Sequence, residues 1–159
     1  MSILFFFYGS IVYSQTQATA TFTASVTIIE PIGITNTSNM NFAALDAKDG
    51  GTVILTPEND RITTGGIELA DGAMVSAASF KVTGENGYSF SLSLPKGEYF
   101  LSDGTETVVI KDFTSNFQES TISSTTPEIK VGATLDVKAG QRPGNYKTLT
   151  SIPVTVNYN

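Results

Sequence analysis

The most constraining feature of this chain is the alternation of apolar and hydroxyl-bearing side chains along several segments. From Thr21 to Ile28, hydroxyl-bearing residues alternate with four apolar ones, Phe22, Ala24, Val26 and Ile28. Successive side chains of a β-strand point to opposite faces, so this order predicts a half-buried strand with one apolar and one polar face.

The same two-residue period recurs in three other segments, Tyr88–Leu94, Val131–Val137 and Val154–Tyr158. In the last of these, Val154, Val156 and Tyr158 share one face. Shorter apolar runs predict further strands at Thr52–Leu55, Ile67–Leu69, Ser79–Thr83, Thr107–Phe113 and near Asn41-Phe42. A chain with so many short strands and no clear helical period is expected to be all-β.

Glycine-containing turns separate these segments. Asn86-Gly87 precedes Tyr88–Leu94 and predicts a type I′ hairpin with the strand before it, because both residues accept positive φ. Asp103-Gly104 predicts a second hairpin, between Tyr99–Leu101 and Thr107–Ile110. Frequent turns between short strands favour a sandwich or barrel of antiparallel strands. A length of 159 residues suits a single domain.

The amino terminus carries an apolar run, Ile3 to Tyr13, that is typical of a secretory leader. The run is too short to span a hydrocarbon core of roughly 30 Å as a helix, and small residues precede a cleavage point after Ser14. The alternative, a buried first strand, is disfavoured because Phe5-Phe6-Phe7 is continuous and does not alternate. We therefore predict a signal peptide at residues 1–14, a single domain at residues 15–159, and no membrane span after cleavage.

Composition narrows the possible chemistry. The chain contains no cysteine and no histidine, which excludes disulfides, thiolate metal sites and the side chain most often used as a general base near neutral pH. Fifteen acidic residues against nine basic ones give a net charge of −6, so phosphate backbones are repelled on average. We expect no nucleic-acid partner and no cofactor.

Carboxylate pairs are the remaining candidates for catalysis or metal binding. They are Asp46/Asp49, Glu58/Asp60 and Asp103/Glu106, all in polar, turn-like segments. Carboxylates in such segments are usually solvated surface charges, and a serine nucleophile would need a lysine as its base because histidine is absent. The loop Asp46–Gly51 lacks the spacing and the terminal glutamate of a calcium loop. We predict no catalytic, cofactor-binding or metal-binding residue, and no enzyme.

Several blocks of the chain together resemble a known bacterial family. The blocks are Glu30-Pro31-Ile32-Gly33-Ile34-Thr35, Asn41-Phe42, Gly51-Thr52-Val53, Ser76-Ala77-Ala78-Ser79-Phe80-Lys81-Val82-Thr83-Gly84, Val131-Gly132-Ala133-Thr134-Leu135-Asp136-Val137 and Val154-Thr155-Val156-Asn157-Tyr158. From about Ala18 to Asn159, the chain is similar to the bacterial domain-of-unknown-function family 4402. That family resembles spore coat protein U and the chaperone-usher fimbrial subunits, which implies an exported, immunoglobulin-like antiparallel β-sandwich without an established activity.

The fimbrial resemblance implies association by strand addition. Fimbrial subunits end in an alternating strand with a penultimate aromatic residue, as Val154, Val156 and Tyr158 do here. They also carry an alternating amino-terminal extension that completes a neighbouring subunit. The corresponding residues in this chain are Phe22, Ala24, Val26 and Ile28. Pro153 cannot donate to a ladder, so the last strand starts after it or lies at an edge.

We therefore expect a secreted, non-enzymatic structural or adhesive surface protein, located in the periplasm, at the cell surface or outside the cell. Its expected partners are copies of itself or other surface proteins, bound through strand edges. The alternative is a secreted carbohydrate- or protein-binding module that stays monomeric. For that alternative the candidate is the Tyr99-Phe100 pair, because adjacent residues on a strand face opposite ways and one of them is then exposed.

Overall fold

The computed structural model describes residues 16–72, 74–123 and 128–159, and in these residues all regular structure is β-strand. The predicted leader, residues 1–14, lies outside them. The thirteen strands of the described chain are β1 Gly33–Ser38, β2 Leu45–Asp46, β3 Gly51–Leu55, β4 Arg61–Gly65, β5 Glu68–Leu69, β6 Ala78–Thr83, β7 Ser89–Ser93, β8 Tyr99–Ser102, β9 Thr107–Ser115, β10 Ser120–Thr121, β11 Ile129–Val137, β12 Lys147–Thr148 and β13 Thr155–Tyr158. The prediction of an all-β chain is confirmed. Within the same residues, no helix has the length and apolar character needed to cross a membrane.

The largest sheet is built around β11. Its strands follow the order β1-β6-β11-β9-β8-β12, and β3 and β4 extend it beside β11. The alternating residues of β11 that face the core, among them Val131, Ala133, Leu135 and Val137, are buried. This is the pattern that the two-residue period predicts for a strand in the middle of a sheet.

Gly132 lies where β11 changes partner. Residues 129–131 of β11 pair with β6, whereas residues 133–137 pair with β3. A Cβ on Gly132 would overlap the carbonyl oxygen of Leu55 and lie 2.9 Å from the carbonyl carbon of Thr56. The absence of a side chain therefore lets the end of β3 approach β11 closely.

Two smaller antiparallel sheets complete the fold. One has the order β10-β7-β13, and the other joins β2 to β5. In the first, Val156 of β13 lies opposite Leu92 of β7, and Tyr158 lies opposite Phe90. All strand pairs in the described chain are antiparallel.

Buried apolar side chains form two clusters. The first cluster comprises Phe42, Val53, Leu55, Ile67, Val108, Ile110, Ala133, Leu135 and Val137. The second cluster comprises Val82, Phe90, Ile122, Ile129, Val131 and Val156. Because Val82 comes from the large sheet and Phe90 from the β10-β7-β13 sheet, the second cluster holds these two sheets together.

Most of the predicted strands are present, but two expectations are wrong. Residues 21–28 were expected to form a half-buried strand, yet they form no strand and are exposed. The expected hairpin at Asn86-Gly87 is also absent, because β6 and β7 belong to different sheets and only Gly87 of the turn has positive φ. The hairpin at Asp103-Gly104 is confirmed by the pairing of β8 with β9.

Candidate interaction site

The chain before β1 joins none of the described sheets. We call residues 16–31 the N-terminal segment. Phe22 is 91% exposed, Val26 is 84% exposed and Ile28 is 90% exposed, and Ala24 is exposed as well. These are the four predicted interaction residues that lie in this segment, and all four side chains are exposed to water.

Leaving these apolar side chains in water is unfavourable in free energy. Burying a side chain of the size of Val, Ile or Phe contributes about 1.5–3 kcal/mol, and the N-terminal segment gains none of this inside its own domain. Several exposed apolar side chains close together in the chain are typical of an interaction site, whereas single ones are normal on a protein surface. β-Branched residues also favour an extended backbone, so the segment is already suited to pair as a strand.

Two strands of the domain have a free edge close to each other. Among the described strands, β1 pairs only with β6, and β13 pairs only with β7. β1 and β13 approach each other but belong to different sheets, so no ladder joins them within the described chain. The backbone groups of β1 and β13 that face away from β6 and β7 are therefore the donors and acceptors that an additional strand needs.

The second cluster lies beneath these two edges. Phe90 and Val131 are fully buried in it, and its borders include the half-buried Ile34 of β1 and Leu92 of β7. Val156 is buried at 8% exposure, while Val154 and Tyr158 are half-buried. Val156 and Tyr158 of β13 thus lie towards the core, and what this strand offers a partner is its backbone edge.

Tyr158 connects β13 to the base of the N-terminal segment. Its hydroxyl donates to the carbonyl oxygen of Glu30 at 2.7 Å and accepts from the backbone N–H of Glu85 at 2.6 Å. The Glu30 N–H donates to the carboxylate of Glu85 at 2.9 Å. The ring of Tyr158 packs edge-on against Tyr88 with 5.7 Å between centroids.

The two predicted sets of interaction residues are not brought into contact in one molecule. The N-terminal set is in solvent, whereas Val156 and Tyr158 of the second set lie at the second cluster. Sequence reasoning missed β1 as an edge, and it missed Glu30 and Glu85 as partners of Tyr158. The one sequence feature that could have indicated this region is the Glu30-Pro31 pair. A proline restricts the preceding residue to extended conformations and so marks the end of the segment.

Other sheet edges are less open to an incoming strand. β12 is only two residues long, carries Lys147 and is soon followed by Pro153, all features that discourage pairing. At the start of β4, the Arg61 guanidinium donates to three carbonyl oxygens, of Phe42, Ala44 and Ala70, at 2.9–3.2 Å. Neighbouring loops therefore crowd that end of β4.

Two of the carboxylates considered as catalytic candidates, Asp103 and Glu106, have structural partners. Asp103 accepts hydrogen bonds from the N–H groups of Glu106 and Thr105, and these bonds hold the pKa of Asp103 below its usual value. The Glu106 carboxylate, beside a cavity of about 410 Å³, accepts from the side chain of Gln141 and the N–H of Arg142. Among the residues described, no three acidic side chains are grouped as metal ligands would be.

The Tyr99-Phe100 pair divides as expected for adjacent strand residues. Tyr99 packs against Phe113 at the first cluster, with 5.7 Å between ring centroids. Phe100 is 46% exposed on the other face of β8, and Leu149, whose N–H donates to the Phe100 carbonyl oxygen, is 63% exposed. The exposed aromatic residue is therefore Phe100.

The geometry can be compared with known proteins. A family model described as a domain of unknown function (DUF4402) matches residues 32–158. The match covers β1 to β13 and begins directly after the N-terminal segment. Comparisons with curated proteins and with solved structures give no significant match.

Proposed function

The chain belongs to the DUF4402 family, and we propose that it is a secreted, non-enzymatic surface protein whose copies associate by β-strand addition. In this proposal residues 1–14 are removed on export to the periplasm, the cell surface or the medium. The remaining domain is an immunoglobulin-like sandwich. Its role is structural or adhesive, as in the fimbrial subunits that the sequence resembles.

The observation that carries this proposal is the N-terminal segment itself. It has the alternating side chains of a strand, yet it pairs with none of the described strands and its apolar side chains are in water. Strand addition supplies both missing elements, because an acceptor edge provides backbone hydrogen bonds and an apolar floor receives every second side chain.

The acceptor in the proposal is the pair of edges on β1 and β13 of a second copy. A strand added at either edge bonds to the backbone groups that β6 or β7 leaves free, at the place where the two sheets meet over the second cluster. Its apolar face, Phe22, Ala24, Val26 and Ile28, then meets the borders of that cluster at Ile34 and Leu92. The hydroxyl-bearing face stays in water.

Residues 16–29 and the two strand edges lack charged side chains that would oppose contact between copies. A net charge of −6 makes two copies repel each other on average. Residues 16–29, β1 and β13 nevertheless contain no charged side chain. Charges on edge strands normally prevent pairing between molecules, so these uncharged edges lack that protection.

A chain that begins at Ile29 tests the proposal. It keeps Glu30 and all strands, so it is expected to fold, to stay monomeric and to bind a labelled peptide of residues 16–28 saturably in fluorescence anisotropy. The matched control peptide carries serine in place of Phe22, Val26 and Ile28, and it is expected not to bind. Absence of saturable binding, or self-association of the shortened chain equal to that of the chain from Gln15, contradicts the proposal.

A further inference from the structure

The base of the N-terminal segment is fixed by three hydrogen bonds that we call the Tyr158 latch. Tyr158 donates to the Glu30 carbonyl and accepts from the Glu85 N–H, and the Glu30 N–H donates to the Glu85 carboxylate. Both main-chain polar groups of Glu30 are thus occupied. The latch joins three parts of the chain that are far apart in sequence.

Gly84 makes room for the latch. The backbone of Gly84 has φ of 153°, and a Cβ at this position would overlap the Tyr158 hydroxyl. The same Cβ would lie 3.2 Å from the Cα of Ile32, just before β1. A glycine is therefore needed for the hydroxyl to reach Glu30.

Strand addition between copies faces a competitor within each molecule. The N-terminal segment is joined directly to β1, and a short link gives it an effective concentration of about millimolar at its own free edges. A segment able to turn back would pair with its own β1 far more readily than with that of a second copy at ordinary concentrations. Association between copies therefore requires a contact that keeps the N-terminal segment from folding back onto its own β1.

The latch opposes that turn at the place where it has to occur. To run antiparallel to β1, the chain must reverse direction at residues 29–32. The reversal requires Glu30 to give up both of its latch hydrogen bonds.

We propose that Tyr158 is a positioning residue which holds the N-terminal segment away from its own β1 and β13, so that the segment adds to a second copy. This inference rests on the proposed function. It adds the contact that favours pairing with a second copy over pairing within the same molecule. The chemistry of the partner is then that of another copy of this chain, with the same uncharged edges.

The test compares Tyr158→Phe with the unchanged chain from Gln15. The variant keeps the ring and its edge-on contact with Tyr88 but loses the hydroxyl. Sedimentation velocity is expected to give a dissociation constant for self-association at least about tenfold higher, since the competing closure is now open. Tyr88→Phe is the matched control, because it removes a neighbouring hydroxyl outside the latch and is expected to leave association unchanged.

Limited proteolysis of the monomer fraction separates positioning from a general structural role. In the unchanged monomer, chymotrypsin is expected to cut after the exposed Phe22. In the Tyr158→Phe monomer the closed segment is expected to resist cleavage. Weaker association with Phe22 still cleavable overturns the inference, because the segment is then not closed.

Glu85 provides a second route that does not alter the packing of Tyr158. Glu85→Ala removes the acceptor for the Glu30 N–H and is expected to weaken association in the same direction, while Glu85→Gln keeps an acceptor oxygen and is expected to restore it. Unchanged association in both Tyr158→Phe and Glu85→Ala overturns the latch and leaves the proposed function standing. An unchanged chain that stays monomeric at every concentration overturns the proposed function first, and the latch with it.

Discussion

The double substitution Val26→Asp and Ile28→Asp is expected to abolish self-association of the chain without changing the free energy of unfolding of its domain. Both side chains are exposed in the monomer, at 84% and 90%, so the folded domain loses no contact. In an added strand both are buried, and their loss costs about 3–6 kcal/mol of association free energy, or about 10² to 10⁴ in the dissociation constant. Burying the new carboxylates adds a further penalty.

The matched control places the same two charges on the other face of the same segment. Ser25→Asp and Thr27→Asp have equal net charge and equal position along the chain, but their side chains point to solvent in an added strand. Sedimentation velocity and thermal melting of both double variants give the comparison. Equal loss of association in the two variants would mean that charge, and not the apolar face, controls the contact.

Phe90→Ala is expected to lower the free energy of unfolding by about 3–5 kcal/mol, a large part of the 5–15 kcal/mol typical of a domain. Phe90 has no exposed surface, belongs to the second cluster and packs against Phe117 with 5.0 Å between ring centroids. The melting temperature should fall by about 10 °C. Because the second cluster is also the floor of the proposed acceptor, binding of the peptide of residues 16–28 should weaken as well.

The control for this substitution is Phe100→Ala, which removes the same side chain from the 46% exposed position on β8. Substitutions at exposed positions usually stay within about 0.5 kcal/mol, so its melting temperature and peptide binding should be close to those of the unchanged chain. Chemical denaturation monitored by tyrosine fluorescence measures both variants. A Phe90→Ala domain as stable as the Phe100→Ala domain would contradict the assignment of the core.

Alternation predicted the strands that are covered on one face by their own domain. Val131–Val137 lies within β11 and Tyr88–Leu94 contains β7, because burial of every second side chain leaves a direct record in the sequence. By contrast, β4 at Arg61–Gly65 was not predicted, since its residues are mainly polar and its position depends on pairing with β3. Local pattern does not encode such pairing.

The N-terminal segment shows the limit of the same signal. Residues 21–28 alternate as regularly as β7, yet they pair with no described strand of their own chain. A two-residue period specifies that an apolar face needs a cover, but it does not specify which molecule supplies it. The alternation of residues 21–28, without a described partner strand in their own chain, is therefore the main evidence for the proposed site.

Long-range connections were the other part that the sequence did not predict. Asn86-Gly87 has the residues of a tight hairpin, but the chain crosses there from β6 in one sheet to β7 in another. The Tyr158 latch likewise brings Glu30 and Glu85 to the last strand. Such contacts depend on how the sheets pack, which residue type and local spacing do not determine.

Hydrogen–deuterium exchange as a function of protein concentration tests strand addition most directly, because an added strand must form backbone hydrogen bonds along its length. We predict that the amides of residues 21–28, and those amides of β1 and β13 that do not bond to β6 or β7, exchange quickly in the dilute monomer and slowly once the chain associates. Association in which residues 21–28 continue to exchange as fast as in the monomer would contradict strand addition by the N-terminal segment. A chain that remains monomeric and unprotected at every concentration would contradict association itself.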